Sequence, residues 1–126
     1  MNKNQINSLI PFAYEALEKV GIAKDGKINK TYRGQISTFG AAVSMGSLLP
    51  AIAFFSEKGS ASTDREKLME AIWNVLQNAG FISGPCKSLM EYAQEAGDKK
   101  ECIINAAIAL KLSMNLYQLE KQENEE

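Results

Sequence analysis

Apolar residues in this chain recur three and four positions apart, and nowhere in sustained alternation, which points to helices and away from sheet. Ile6, Leu9, Ile10, Ala13, Leu17 and Val20 share one face of a first helix that Gly21 stops. Pro11 fits such a helix if Ser8 is its N-cap, because first-turn amides have no intrahelical partner. Residues 22–29 read as a loop with a turn at Asp25–Gly26. A second helix runs from about Lys30 to Ser44, with Tyr32, Ile36, Phe39 and Val43 inward. Gly46 ends it, and Ser47 caps a third helix, Leu48–Lys58, with Pro50 in its first turn. That helix is apolar nearly all round, which places it at the centre of a bundle.

Gly59–Ser62 is a flexible connection. Thr63 and Glu66 have capping-box spacing and open a fourth helix carrying Leu68, Met69, Ile72, Val75, Leu76 and Ala79, with Trp73 beside the stripe; Gly80 ends it. A fifth helix turns Cys86, Leu89, Met90 and Ala93 inward and stops at Gly97. Asp98 and Glu101 resemble a second capping box, opening a long sixth helix with Ile103, Ala106, Ala107, Leu110, Met114 and Tyr117. The expectation is an all-α, compact, single-domain bundle of about six helices over residues 1–126, with no sheet and a frayed acidic tail from about residue 120. With 45% apolar residues among 126, such a chain buries a core without disulfides or metals.

Chemistry is constrained by an absence. The sequence has no histidine, which removes His-dependent triads, HExxH zinc sites and His general bases. Asp25 could begin a calcium loop, but Lys27 and Asn29 follow at the alternating positions and Ile36 stands where a closing Glu is needed. There is no phosphate-binding glycine loop. Glu66/Glu70 and Glu91/Glu95 are turn-spaced pairs of the kind solvated helix faces carry. Cys86 and Cys102 read as reduced core thiols. A non-enzyme with no metal and no cofactor is expected. No apolar run is long enough to span a bilayer, and Met1–Ile10 lacks the apolar middle of a signal peptide, so a cytoplasmic chain is the default.

The net charge of −1 hides an asymmetry. Lys19, Lys24, Lys27, Lys30 and Arg33 face only Asp25 between residues 19 and 33, whereas the last seven residues hold four Glu and one Lys. A basic loop and helix start can track a phosphate backbone without reading sequence, but from these residues alone an ordinary lysine-rich solvated loop is the favoured reading.

The segment Tyr32–Lys58, YRGQISTFGAAVSMGSLLPAIAFFSEK, resembles the signature of the small subunit of the Cmr complex, the type III-B CRISPR RNA-silencing ribonucleoprotein. The matching positions are Tyr32, Gly46, Leu48, Ala53, Phe54 and Lys58. The resemblance implies a non-catalytic structural subunit of that effector complex, a helical bundle stacked with further copies of itself in an inner filament. It would contact other Cmr-complex proteins and the backbone of guide and target RNA in antiviral defence. The residues proposed to hold that backbone are Lys19, Lys24, Lys27, Lys30 and Arg33, then Lys67, Lys99 and Lys100. Tyr32, Phe39, Phe54, Phe55 and Trp73 read as core rather than as stacking platforms, Tyr32 being the best candidate for an exception.

Three rivals remain. A helical adaptor binding only protein would share the bundle, and whether the lysines gather on one surface discriminates it. A helix-turn-helix DNA binder would need polar and basic residues on Leu48–Phe55, which has none. An enzyme would need lysine or carboxylate chemistry at a spacing absent here.

Overall fold

The computed structural model describes residues 2–57, 65–82, 84–95 and 97–120. The expected link at Gly59–Ser62, the Thr63 half of a capping box, Lys58 and the acidic tail from residue 121 lie outside them. Among the described residues the chain forms six helices: α1 (Lys3–Lys19), α2 (Thr31–Ser44), α3 (Leu48–Phe55), α4 (Arg65–Asn78), α5 (Leu89–Gln94) and α6 (Lys99–Met114). It also forms three short strands, β1 (Ala23–Lys24), β2 (Lys27–Asn29) and β3 (Gln118–Glu120), so the expectation of no sheet is corrected.

The sheet has a local cause and a distant one. Asp25 (φ 54°) and Gly26 (φ 77°) both take positive φ, the two-residue hairpin turn that Asp-Gly favours, and Ala23 then pairs antiparallel with Ile28. The third strand arrives from the far end of the chain. β3 lies parallel to β2, with Ile28 opposite Leu119. Strands of two and three residues are too short to display alternation in sequence.

The helices are organised around α6, which packs against α1, α2, α4 and α5. α1 and α6 run side by side in the same direction. The Asn2 amide donates to Asn105 Oδ1 (3.2 Å), Ser113 Oγ donates to the Ile10 carbonyl (3.3 Å), and Tyr117 OH donates to the Tyr14 carbonyl (2.9 Å). Each link spans the same 103 residues, as expected of two parallel helices in fixed register. Asn105 is fully buried, and its Nδ2 donates to Gln5 Oε1, which satisfies a polar group where it would otherwise be costly. α2 begins where α6 has ended, because the Lys30 amide donates to the Glu120 carbonyl (2.7 Å), and it runs back antiparallel, Ile36–Ser44 sharing a groove with Ile104–Lys111.

Several local expectations change. α1 starts at Lys3 under an Asn2 cap, whose side chain accepts the Gln5 amide (3.0 Å), and Ser8 is interior. Pro11 therefore sits inside the helix; the carbonyl it cannot reach belongs to Asn7, and both residues are exposed to solvent. α3 is peripheral rather than central: Ala51, Ile52 and Phe55 are buried, while Leu49, Ala53 and Phe54 face outward. Ser47 and Asp98 occupy N-cap positions without a side-chain capping bond. The working capping pair at α5 is Ser88 with Glu91: Ser88 Oγ accepts the Glu91 amide (3.1 Å) and Glu91 Oε1 accepts the Lys87 amide (3.3 Å). α5 accordingly begins after Cys86 and buries Leu89 and Tyr92.

Candidate nucleic-acid interface

The parallel pairing of α1 and α6 sorts the basic residues by end. Lys19 closes α1, Lys24 and Lys27 flank the hairpin turn, and Lys30 and Arg33 open α2, so all five stand at the sheet end. Lys67, in the first turn of α4, joins them: a Cβ placed on Gly21 would stand 3.5 Å from Lys67 Nζ and 4.0 Å from Lys24 Cε. Gly21 takes φ +86° as the chain leaves α1, and this turn swings Lys24 toward α4. Lys67, from a distant element, thus meets Lys24 at the turn that follows Lys19. Glu18 and Asp25 are the carboxylates closest to it in sequence.

Lys99 and Lys100 lie elsewhere. They open α6, whose 16 residues separate them from the sheet end by about 24 Å at about 1.5 Å per residue. Lys99 is also engaged, with Nζ 3.8 Å from Glu95 and 4.8 Å from the Tyr92 ring centroid. At the sheet end Lys27 pairs with Glu120 at 3.7 Å. Among the described residues Lys19, Lys24, Lys30 and Lys67 form no ion pair. Arg33 is half-buried, and its Nε has no hydrogen-bond partner among the described residues. The lysines therefore gather in part: six of the eight candidates share one end, and two do not.

The aromatic expectations divide. Tyr32, Phe39 and Phe55 are buried and Trp73 is half-buried, but Phe54 is 53% exposed, against its expected place in the core. The Arg65 guanidinium lies over its ring, 4.3 Å from the centroid. At about 100° per residue the buried Ala51, Phe55 and Ile52 share one arc of α3, and Phe54 falls outside it on the flank. That geometry was available in the sequence as a signal, whereas Arg65 carried none. Cys86 and Cys102 are free and half-buried; burial, reinforced by Glu95, pushes the Cys86 thiol up and disfavours the reactive thiolate.

The fold and its charge placement describe a small helical module with six basic residues towards one end. The chain belongs to the CRISPR-associated protein (Cas_Cmr5) family, the small-subunit family of the Cmr complex, whose family model matches residues 10–116. The comparison with curated proteins gave no match, and neither did the comparison with solved structures. Among the described residues no helix is long and apolar enough to cross a membrane.

Proposed function

We propose that this protein is a non-catalytic structural subunit of a type III-B Cmr ribonucleoprotein of the cytoplasm. It would stack with copies of itself in the inner filament and hold the backbone of guide and target RNA. Family membership supports the place in the complex. The observation that carries the RNA contact is the convergence of Lys24 and Lys67 on Gly21, with Lys19 closing the adjoining helix. Ammonium groups without carboxylate partners bind phosphate by releasing condensed counterions, and they need no base-specific geometry. Lys30 and Arg33 extend the surface along the start of α2. Lys27, held by a carboxylate, contributes less, and Lys99 and Lys100, at the far end of α6, lie off this surface.

The test is RNA binding as a function of salt. Replacing Lys19, Lys24 and Lys67 together by Gln is expected to weaken binding of single-stranded RNA and to flatten the plot of log affinity against log salt by roughly 0.7 for each phosphate no longer held. Replacing Lys99 and Lys100 should leave that slope unchanged. Equal slopes for the parent and the triple variant would reject the sheet end as the contact surface. A parent chain that assembles with protein partners but carries no RNA in any assembly would favour the protein-only adaptor.

A further inference from the structure

We infer that Phe54 and Arg65 form a stacking site for one unpaired nucleobase, beside the lysines that hold the backbone; this rests on the RNA reading above and deepens it. Phe54 projects from the last turn of α3 with more than half of its surface exposed. It nevertheless contacts the core. Phe55 meets it edge-on at 5.7 Å, and the buried Phe55 is in turn edge-on to the core residue Phe39 at 5.3 Å. The ring is thus linked to the core through one edge-on contact and its buried neighbour, which lowers the conformational freedom given up when something stacks on it. Arg65, 4.3 Å above the ring, adds a second flat surface and a permanent charge.

The groove next to the pair has a volume of about 450 Å³ and is walled by Thr31, Gly34, Gln35 and Thr38 from α2. A Cβ built on Gly34 would meet nothing within 4 Å, so a planar group can approach the helix there. Thr38 donates its hydroxyl to the Gly34 carbonyl (3.1 Å), leaving the oxygen's acceptor side for an amino group. Lys30 precedes Thr31 at the start of the same helix, so a cation adjoins this wall in sequence. The chemistry favours a nucleobase over an apolar side chain. A guanidinium over the ring would be desolvated without compensation by an aliphatic group, whereas a base offers a π face to the stack and polar edges to the groove.

The experiment uses the full chain and a short oligoadenylate RNA, followed by fluorescence anisotropy, with the same strand lacking its bases as the second probe. Phe54→Ala is expected to weaken oligoadenylate binding roughly 5- to 160-fold, the range for removal of one stacked base. The slope against log salt should stay unchanged, because every phosphate is still held by the same cations. Phe54→Trp should bind at least as well as the parent. Arg65→Lys, which keeps the charge but removes the plane, should weaken binding of oligoadenylate and not of the abasic strand, which parent and Phe54→Ala should bind alike. If Phe54→Ala binds oligoadenylate like the parent while the Lys19/Lys24/Lys67 variant does not, the stacking site is rejected and the backbone reading survives. If Phe54→Ala keeps its RNA affinity but fails to assemble with partner proteins, the groove belongs to a protein and the inference is overturned. If the parent binds neither strand, both readings fall together.

Discussion

Tyr117 closes the seam between α1 and α6. Its ring stacks on Tyr14 with centroids 4.6 Å apart and planes 14° from parallel, and its hydroxyl donates to the Tyr14 carbonyl at 2.9 Å. Burial, with Glu18 and Tyr14 adding to it, pushes the phenol well above its ordinary range, and burial acts on Tyr92 in the same direction. Above pH of about 10 the unfolded chain releases these protons while the folded chain keeps them. The folded state then binds more protons, so stability falls as pH rises, and below that pH the contribution is fully present. Tyr117→Phe should therefore cost about 1 kcal/mol at neutral pH, the net worth of one hydrogen bond. It should also reduce the further decline in stability between neutral pH and about pH 11. Urea unfolding of both chains at the two pH values checks this, and an unchanged alkaline decline would remove Tyr117 as its source.

At the scale of elements, α3 and α6 exchange the roles their compositions suggest. α3 is the more uniformly apolar in sequence, yet it lies at the edge with Leu49 39% exposed. α6 carries Lys99, Lys100, Glu101 and Lys111 at its two ends, yet it buries Ile103, Ala106, Ala107, Leu110 and Met114. The difference comes from neighbours: α6 has helices on several sides and meets them through alanines, so its interior surface exceeds one stripe. Leu110→Ala should consequently cost about 2–5 kcal/mol by leaving a cavity. Leu49→Ala should cost less than about 1 kcal/mol, as for surface positions. Denaturant midpoints measured on both variants compare the two directly, and similar destabilisation would mean α3 is as deeply packed as α6.

At the scale of the whole molecule, the C-terminal strand decides where the basic hairpin sits. β3 pairs with β2 from the far end of the chain, its Glu120 carbonyl takes the Lys30 amide, and its Gln118 amide donates to the Gly26 carbonyl (2.9 Å). A two-stranded hairpin is marginal in water by itself. Ending the chain at Tyr117, compared with ending it at Glu120, should strip hydrogen-exchange protection from the Lys30 amide and loosen Lys24 and Lys27. Undiminished protection at Lys30 would show that the hairpin holds without its third strand.

The sequence alone determined the helical class, the positions of most inward stripes, the turn at Asp25–Gly26 and the local excess of lysine, because each is a matter of spacing or backbone preference over a few residues. The resemblance carried by Tyr32–Lys58 likewise anticipated the family. Tertiary structure alone decided the rest. The third strand, the cap at Asn2, the edge position of α3, and the separation of Lys99 and Lys100 from the other cations all depend on which elements become neighbours. The same is true of the meeting of Lys24 with Lys67 and of Phe54 with Arg65. Helical periodicity says which face of a segment turns inward; it does not say what that face will meet, and in this protein the charge and the aromatic surface are arranged by those meetings.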